Sequence, residues 1–237
     1  MKIAVLTGAS GQLGQSFLDT LSKNDYCIYA IDLNIECIVE SQNIKPIKLD
    51  ITDENRVHEF YNSLDKIDLL INNAGIGVFT PFEQRTAIEF MQVMNVNLLG
   101  TFLMSQAAIK LMKNQNNGKI INIGSIYGQV SSDERIYGDS GRNNSEVYSA
   151  TKAGVIHMTK YMATHFGKYN IQTNCISPGG IINNQSEDFV NNYEYKNPMG
   201  RMGRPEDIQS ALEYLISEGT TYTNGQNITV DGGFVAW

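Results

Sequence analysis

Tyr148 and Lys152, in the segment VYSATK, have the residue types and the (i, i+4) spacing that suit proton transfer. In a stretch with helical periodicity the two project from one face. A phenol is a poor base at neutral pH, and an adjacent ammonium favours its phenolate. Such a pair can take the proton of an alcohol while a hydride leaves the same carbon, or return a proton to a carbonyl in reverse. Ser125, just past an apolar run, can hydrogen-bond the substrate oxygen. Its plainer reading is a helix cap or a turn serine. With twelve tyrosines in the chain, one Tyr-x-x-x-Lys can arise by chance, so its weight depends on its surroundings.

The hydride needs an acceptor, and TGASGQLG (7–14) suggests one. Gly8, Gly11 and Gly14 follow the first apolar run and open the first helical pattern. That spacing permits a tight turn, close approach of backbone to a pyrophosphate, and tight helix–strand packing. A turn before a helix is the bland alternative. Position argues against it, because the second run, CIYAID, ends in Asp32. A carboxylate there can accept both hydroxyls of an adenosine ribose. It would repel a 2′-phosphate, and neither the glycine loop nor Leu33-Asn34 offers an Arg or Lys. The expected cofactor is NAD rather than NADP. Asp50-Ile51 can meet the adenine edge or cap a helix. Asn72-Asn73-Ala74-Gly75 can let a cofactor pass over a sheet edge or can be a plain turn.

These residues need a frame. Apolar runs at 3–7, 27–32, 44–50, 69–73, 119–124, 171–177 and 226–232 alternate with amphipathic stretches, among them a long one from Ala87 to Asn114. Strand and helix alternating in this way predict parallel strands with right-handed crossovers. The fold class is α/β: a single-domain Rossmann fold over 1–237, with a doubly wound parallel sheet of about seven strands and helices on both faces. Two zones, 126–146 and 178–203, read as irregular and are expected to be substrate loops, the second mobile. Hydrophobic residues make up 42% and charged ones 18%, an ordinary globular balance. A net charge of −7 argues against nucleic acid and anionic membranes. No run approaches a membrane span, and three sparse cysteines fit a reducing compartment, so the expected location is cytoplasmic. His58, His157 and His165 have no partner at ligand spacing, and no metal is expected.

Taken together, the chain resembles the short-chain dehydrogenases/reductases from end to end. The matches, in family order, are TGASGQLG, Asp32, LDITD, NNAG, NVNLLGTF, INIGS, YSATK, SPGG, GRMGRPEDI and GQNITVDGG. The resemblance implies Ser125, Tyr148 and Lys152 as the catalytic set, with Asn97 holding a water that links Lys152 to solvent. It implies that Lys152 binds the nicotinamide ribose and that Pro178-Gly179 faces the nicotinamide. The expected cofactor positions are then Gly8, Ser10, Gly11, Gln12, Leu13, Gly14, Asp32, Asp50, Ile51, Asn73, Ala74, Gly75, Tyr148, Lys152, Pro178, Gly179 and Ile181. Ser125, Arg135, Tyr148 and Gly179 are the substrate candidates. The chain looks like the compact members, usually homotetramers or homodimers, whose subunits meet through the long central helices and the C-terminal strand.

The chain also departs from the compact pattern. Gln12 stands where those members have their middle glycine, and the Ser125–Tyr148 gap is about twice theirs. Both features are similar to the longer members that act on nucleotide sugars, although the extra C-terminal substrate domain of those proteins is missing. Asn183 stands where the family often has a threonine gripping the cofactor amide. The inserted loop carries Ser131, Ser132, Asp133, Glu134, Arg135, Asp139, Arg142, Asn143 and Asn144. These suit a sugar or sugar derivative, and Arg135 or Arg142 can meet a phosphate or carboxylate. A solvated flap or a subunit contact is the alternative. The expected function is an NAD-dependent oxidoreductase acting on a secondary alcohol or ketone of a small sugar-like substrate in glycan biosynthesis. The pattern is similar to the flagellin modification protein A-like branch found with flagellin-glycan and nonulosonic-acid biosynthesis. An NAD-retaining sugar epimerase or dehydratase, or a non-catalytic NAD-sensing module, are the competing readings.

Overall fold

The computed structural model describes residues 1–140 and 142–237. Seven strands form one sheet: β1 (Lys2–Thr7), β2 (Tyr26–Asp32), β3 (Ile44–Lys48), β4 (Leu69–Asn72), β5 (Gly118–Ile123), β6 (Ile171–Pro178) and β7 (Asn227–Val230). All pair in parallel, in the order β3-β2-β1-β4-β5-β6-β7. The chain therefore reverses its winding between β1 and β4, and the carboxyl ends of those strands open a crevice.

Parallel strands covered on both faces need apolar side chains on both, which accounts for their near-continuous runs. In β1, Ala4 and Leu6 point into one core while Val5 points into the other, and all three are fully buried. The first core packs α1 (Gln12–Lys23) through Phe17 and Leu21, and α8 (Pro205–Ile216) through Ile208 and Leu212. On the opposite face lie α2 (Glu54–Asn62), α4 (Thr101–Gln115) and α6 (Glu146–Phe166), which supply Val57, Met104, Met112 and Met162. The seven expected strands are all present, and the ends differ by a few residues, as hydrogen-bonded pairing stops where chains diverge.

The structure corrects the sequence reading in three places. The long helical pattern runs from α3 (Ala87–Met94) into α4, but a π-helical turn at Asn95–Gly100 joins them. Taken as one rod, Ala87–Gln115 is long and apolar enough to cross a membrane by length and composition, which the sequence reading missed. Asn95, Asn97, Ser105 and Gln106 break its apolar runs when read residue by residue, and the rod packs through α4 onto the sheet. The two zones read as irregular are also partly helical. The first contains a 3-10 turn at Ile126–Gly128 and α5 (Glu134–Tyr137); the second contains α7 (Glu187–Lys196). Ser186 caps α7 by accepting Phe189 N–H, and Glu187 and Asp188 sit at its positive dipole end. A third small core of Ile126, Ile136, Tyr193, Met202 and Phe234 joins both zones to the C-terminal turn. Ile126 and Ile136 thus pack the described part of the inserted loop against α7 and the C-terminal turn.

Candidate active site

The crevice begins at the glycine loop. Gly8 has φ +64°, a left-handed conformation that favours glycine, and a Cβ there would lie 2.7 Å from Ala74 Cα. A Cβ on Gly14 would lie 2.2 Å from the Gly8 carbonyl oxygen, so the helix can pack this close to the turn only through glycine. Asn73 fastens the β4 end to this loop by donating its side-chain amide to Gly8 O at 2.8 Å and Thr7 O at 3.2 Å. Gly11 is the N-cap of α1 and offers no side chain to the first N–H groups, and no acid occupies the first turn. These donors and the positive helix end suit a pyrophosphate. Asp32 accepts Ser10 N–H at 2.9 Å and Asn34 N–H at 3.2 Å, which aims its carboxylate into the same cleft.

That cleft has a volume of about 520 Å³ and is lined by Gly8, Ser10, Gly11, Gln12, Leu13, Asp32, Asp50, Ile51, Asn73, Ala74 and Gly75. Leu33, Leu49 and Val96 also line it, and the motif reading did not pick them out. The residues fit a nicotinamide dinucleotide, with Asp32 at the ribose end. Asp50 accepts Thr52 N–H at 2.9 Å, so it also forms a local turn. Gly14 contributes through packing.

A second cavity of about 220 Å³ continues from the first, sharing Leu13, Asn73 and Gly75. Ser125, Tyr148, Lys152, Pro178, Gly179 and Ile181 all line it. Lys152 is buried, donates to Ile123 O at 2.7 Å, and places its Nζ 5.6 Å from the Tyr148 ring centre. Ser125 is buried and accepts Tyr127 N–H at 3.1 Å, so its capping role is real and coexists with its place in the cavity. Asn97, also buried, accepts Ile76 N–H at 2.8 Å and donates to Ile76 O at 2.9 Å and to Thr151 Oγ1 at 3.1 Å. Its carboxamide ties the segment after β4 to α6, and its Oδ1 lies beside Gly75 of the cavity, as the Lys152 Nζ does: a Cβ on Gly75 would meet them at 3.4 and 3.3 Å. At the start of α6, Ser145 Oγ accepts Tyr148 N–H at 3.2 Å and so fixes the backbone that carries the phenol. This arrangement can hold an alcohol oxygen between a serine hydroxyl and a phenol beside an ammonium.

The loop residues divide differently from the sequence expectation. Arg135, the substrate candidate, lies in another cavity with Asp133, Asn192, Lys196 and Trp237. Its guanidinium is paired with Asp133 at 2.7 Å. Asp133 also holds Lys196 of α7 at 2.8 Å, and the hydrogen bonds from Arg135 and Lys196 keep its carboxyl well below the usual carboxylate range. Arg135 thus lies outside the lining of the Ser125–Tyr148 cavity, paired with an acid two residues away. Arg142 instead lies over the Phe79 ring, its Cζ 4.2 Å from the ring centre. Several loop polar groups bond to each other or to α6, as Ser132 does to Asn143 and Asn144 to Ser149. Asn183 donates its backbone N–H to Gln185 Oε1 at 2.7 Å. The sequence reading also missed Tyr193, whose hydroxyl accepts Gly180 N–H at 2.6 Å and ties α7 to the Pro178–Gly179 wall. Among the described residues no three His, Cys, Asp or Glu side chains gather as a metal site.

A glycine loop after β1, an acid closing β2, and a Ser–Tyr–Lys cavity at the sheet's carboxyl edge define a dinucleotide-binding α/β oxidoreductase. A family model described as enoyl-(acyl carrier protein) reductase matches residues 30–235. The chain is 31% identical over 250 residues to the 3-oxoacyl-[acyl-carrier-protein] reductase FabG of Thermotoga maritima, covering 99% of this chain and 98% of that protein. It is 31% identical over 259 residues to the 2-dehydro-3-deoxy-D-gluconate 5-dehydrogenase of Formosa agariphila, covering 99% and 93%. A crystal structure of a short-chain dehydrogenase from Leptospira borgpetersenii with bound NAD+ is similar at TM-score 0.93 and 45% identity, covering 98% of this chain and 92% of that one. The chain belongs to the short-chain dehydrogenase/reductase family and is an NAD(P)-dependent oxidoreductase.

Proposed function

We propose that this chain is an NAD(H)-dependent dehydrogenase interconverting a secondary alcohol and a ketone on a sugar-derived substrate, in the cytoplasm and in glycan biosynthesis. The observation that carries the chemistry is the single cavity lined by Ser125, Tyr148 and Lys152, continuous with the cleft at Asp32. The bound nicotinamide supplies the acceptor for the hydride of the alcohol carbon. Tyr148 takes the hydroxyl proton, Lys152 stabilises the phenolate and holds the nicotinamide ribose, and Ser125 donates to the substrate oxygen. Asn97 ties the segment after β4 to α6 and holds the water that links Lys152 to solvent. Gly179 and Pro178 wall the nicotinamide end, and the segments 126–146 and 178–203 cover the substrate.

Two further points support the finer reading. Asp32 is held by two backbone N–H groups, so a 2′-phosphate would meet a fixed negative charge, which favours NAD. The similar 2-dehydro-3-deoxy-D-gluconate 5-dehydrogenase acts on a sugar acid. A homotetramer or homodimer fits the exposed Met91, Leu99 and Phe102 on the long central rod, an apolar face that a second copy can bury. The test is NADH appearance with NAD and free, acidic, phosphorylated and nucleotide-linked sugars, with Tyr148→Phe run beside the wild type. A sugar-dependent signal lost in the variant is expected. Turnover surviving in Tyr148→Phe would overturn the mechanism, and turnover of simple non-sugar alcohols alone would overturn the substrate class.

A further inference from the structure

We propose that Arg142 is the substrate-recognition residue of this cavity, and that the substrate carries an anionic group, a carboxylate or a phosphate, away from its reacting carbon. The proposal rests on the dehydrogenase reading above and adds the substrate's charge to it.

Position is the first argument. Gly77 lies between two rings: a Cβ there would lie 3.7 Å from Tyr148 Cδ2 and 4.0 Å from Phe79 Cζ. Phe79 in turn carries the Arg142 guanidinium, 4.2 Å from its ring centre. Tyr148, Gly77, Phe79 and Arg142 thus form one continuous wall from the reacting group outward. Gly77 is itself exposed, and it leaves the space beside the Tyr148 ring open where any larger residue would narrow it.

Availability is the second. A guanidinium held over a ring by its charge keeps N–H donors free for a bidentate anion. Arg56, Arg85, Arg135 and Arg201 each pair with a carboxylate, whereas Arg142 pairs with none among the described residues. Its backbone N–H donates to Ser140 Oγ at 3.3 Å, a bond that does not engage the side chain. Among the described residues no acid lines the cavity itself; Glu146, at the start of α6, pairs with Arg85 at 3.0 Å, and Asp133, in the neighbouring cavity, pairs with Arg135 and Lys196. A chain of net charge −7 repels anions in general, so an uncompensated cation at the cleft wall gives local selectivity.

The first test titrates the NAD-loaded protein with inorganic phosphate and with malonate by calorimetry, using wild type, Arg142→Gln, Arg142→Lys and Arg135→Gln. Saturable binding that Arg142→Gln abolishes, Arg142→Lys weakens and Arg135→Gln retains is the expected result. Binding unchanged in Arg142→Gln, or lost in Arg135→Gln instead, overturns the proposal. The second test compares kcat/KM for matched sugar acids, sugar phosphates and uncharged sugars. A preference for the charged partner of about 10- to 100-fold, collapsing in Arg142→Gln, is expected for a charge-assisted contact, and the acid and phosphate arms name the group. Preference for uncharged sugars removes the role of Arg142 and leaves the sugar reading intact. Short non-sugar hydroxy acids outrunning sugar acids keeps Arg142 and removes the sugar.

Discussion

Gln12 of the glycine loop donates its side-chain amide to the carbonyl of Ile182 at 2.7 Å, joining the first βα turn to the segment beyond β6. The bond sits where the two cavities meet, since Leu13 lines both and Ile181 lines the second. A glycine at this position, as in the compact family pattern, would leave the two walls unlinked. The link is expected to slow cofactor release. Gln12→Gly should raise the NADH dissociation rate about fivefold, the scale of one neutral hydrogen bond, as read by stopped-flow fluorescence. An unchanged rate would mean that the bond does not gate release.

The loop Ser125–Tyr148 shows what was and was not legible in the sequence. Strand runs such as CIYAID were readable because burial on both faces leaves few polar interruptions, and Tyr148 and Lys152 because a helical spacing sets their common face. Helix α7 was not read, although Ser186-Glu187-Asp188 is a helix start and Phe189 and Tyr193 are one turn apart. Its asparagines and scattered aromatics gave no continuous stripe. Which partner Arg135 and Arg142 each meet was beyond the sequence. It is set only once the loop has packed, Asp133 for one and Phe79 for the other.

Asp32 should set cofactor preference. Its two backbone hydrogen bonds hold it in place without neutralising it, since neither donor is charged. Asp32→Ala should weaken NAD by about 10- to 100-fold in kcat/KM, the scale of hydrogen bonds to a charged group, while improving NADP relative to NAD. Equal losses for both cofactors would place the carboxylate in loop structure alone.

Gly14 has a purely steric role. A Cβ there would lie 2.2 Å from Gly8 O and 2.8 Å from the backbone of Ala9, and backbone cannot swing aside as a flexible side chain can. Gly14→Ala should destabilise the protein by about 1–3 kcal/mol and weaken NAD binding through displacement of the loop. A melt unchanged from wild type would show that α1 can slide away from the turn.

The end of the 178–203 segment should loosen in acid. Arg201 donates to both carboxylate oxygens of Asp207, at 2.7 and 2.8 Å, and Arg204 N–H donates to the same group at 2.7 Å. Hydrogen bonding from Arg201, against some desolvation, holds the Asp207 carboxyl down at about 2 from its ordinary 3.8. A carboxyl depressed in the folded state stabilises the fold above its unfolded value, and that contribution fades as pH falls from about 4 toward about 2. Gly203 is bonded to Gly180 and Ile182 just before this anchor, so the loss reaches the Pro178–Gly179 wall. Asp207→Asn should melt a few degrees below wild type at neutral pH, and the gap should close across that acid window. Both partners are partly exposed, so the gap is modest. A gap that stays constant down to pH 2 would remove the carboxylate's charge from the account and leave only its shape.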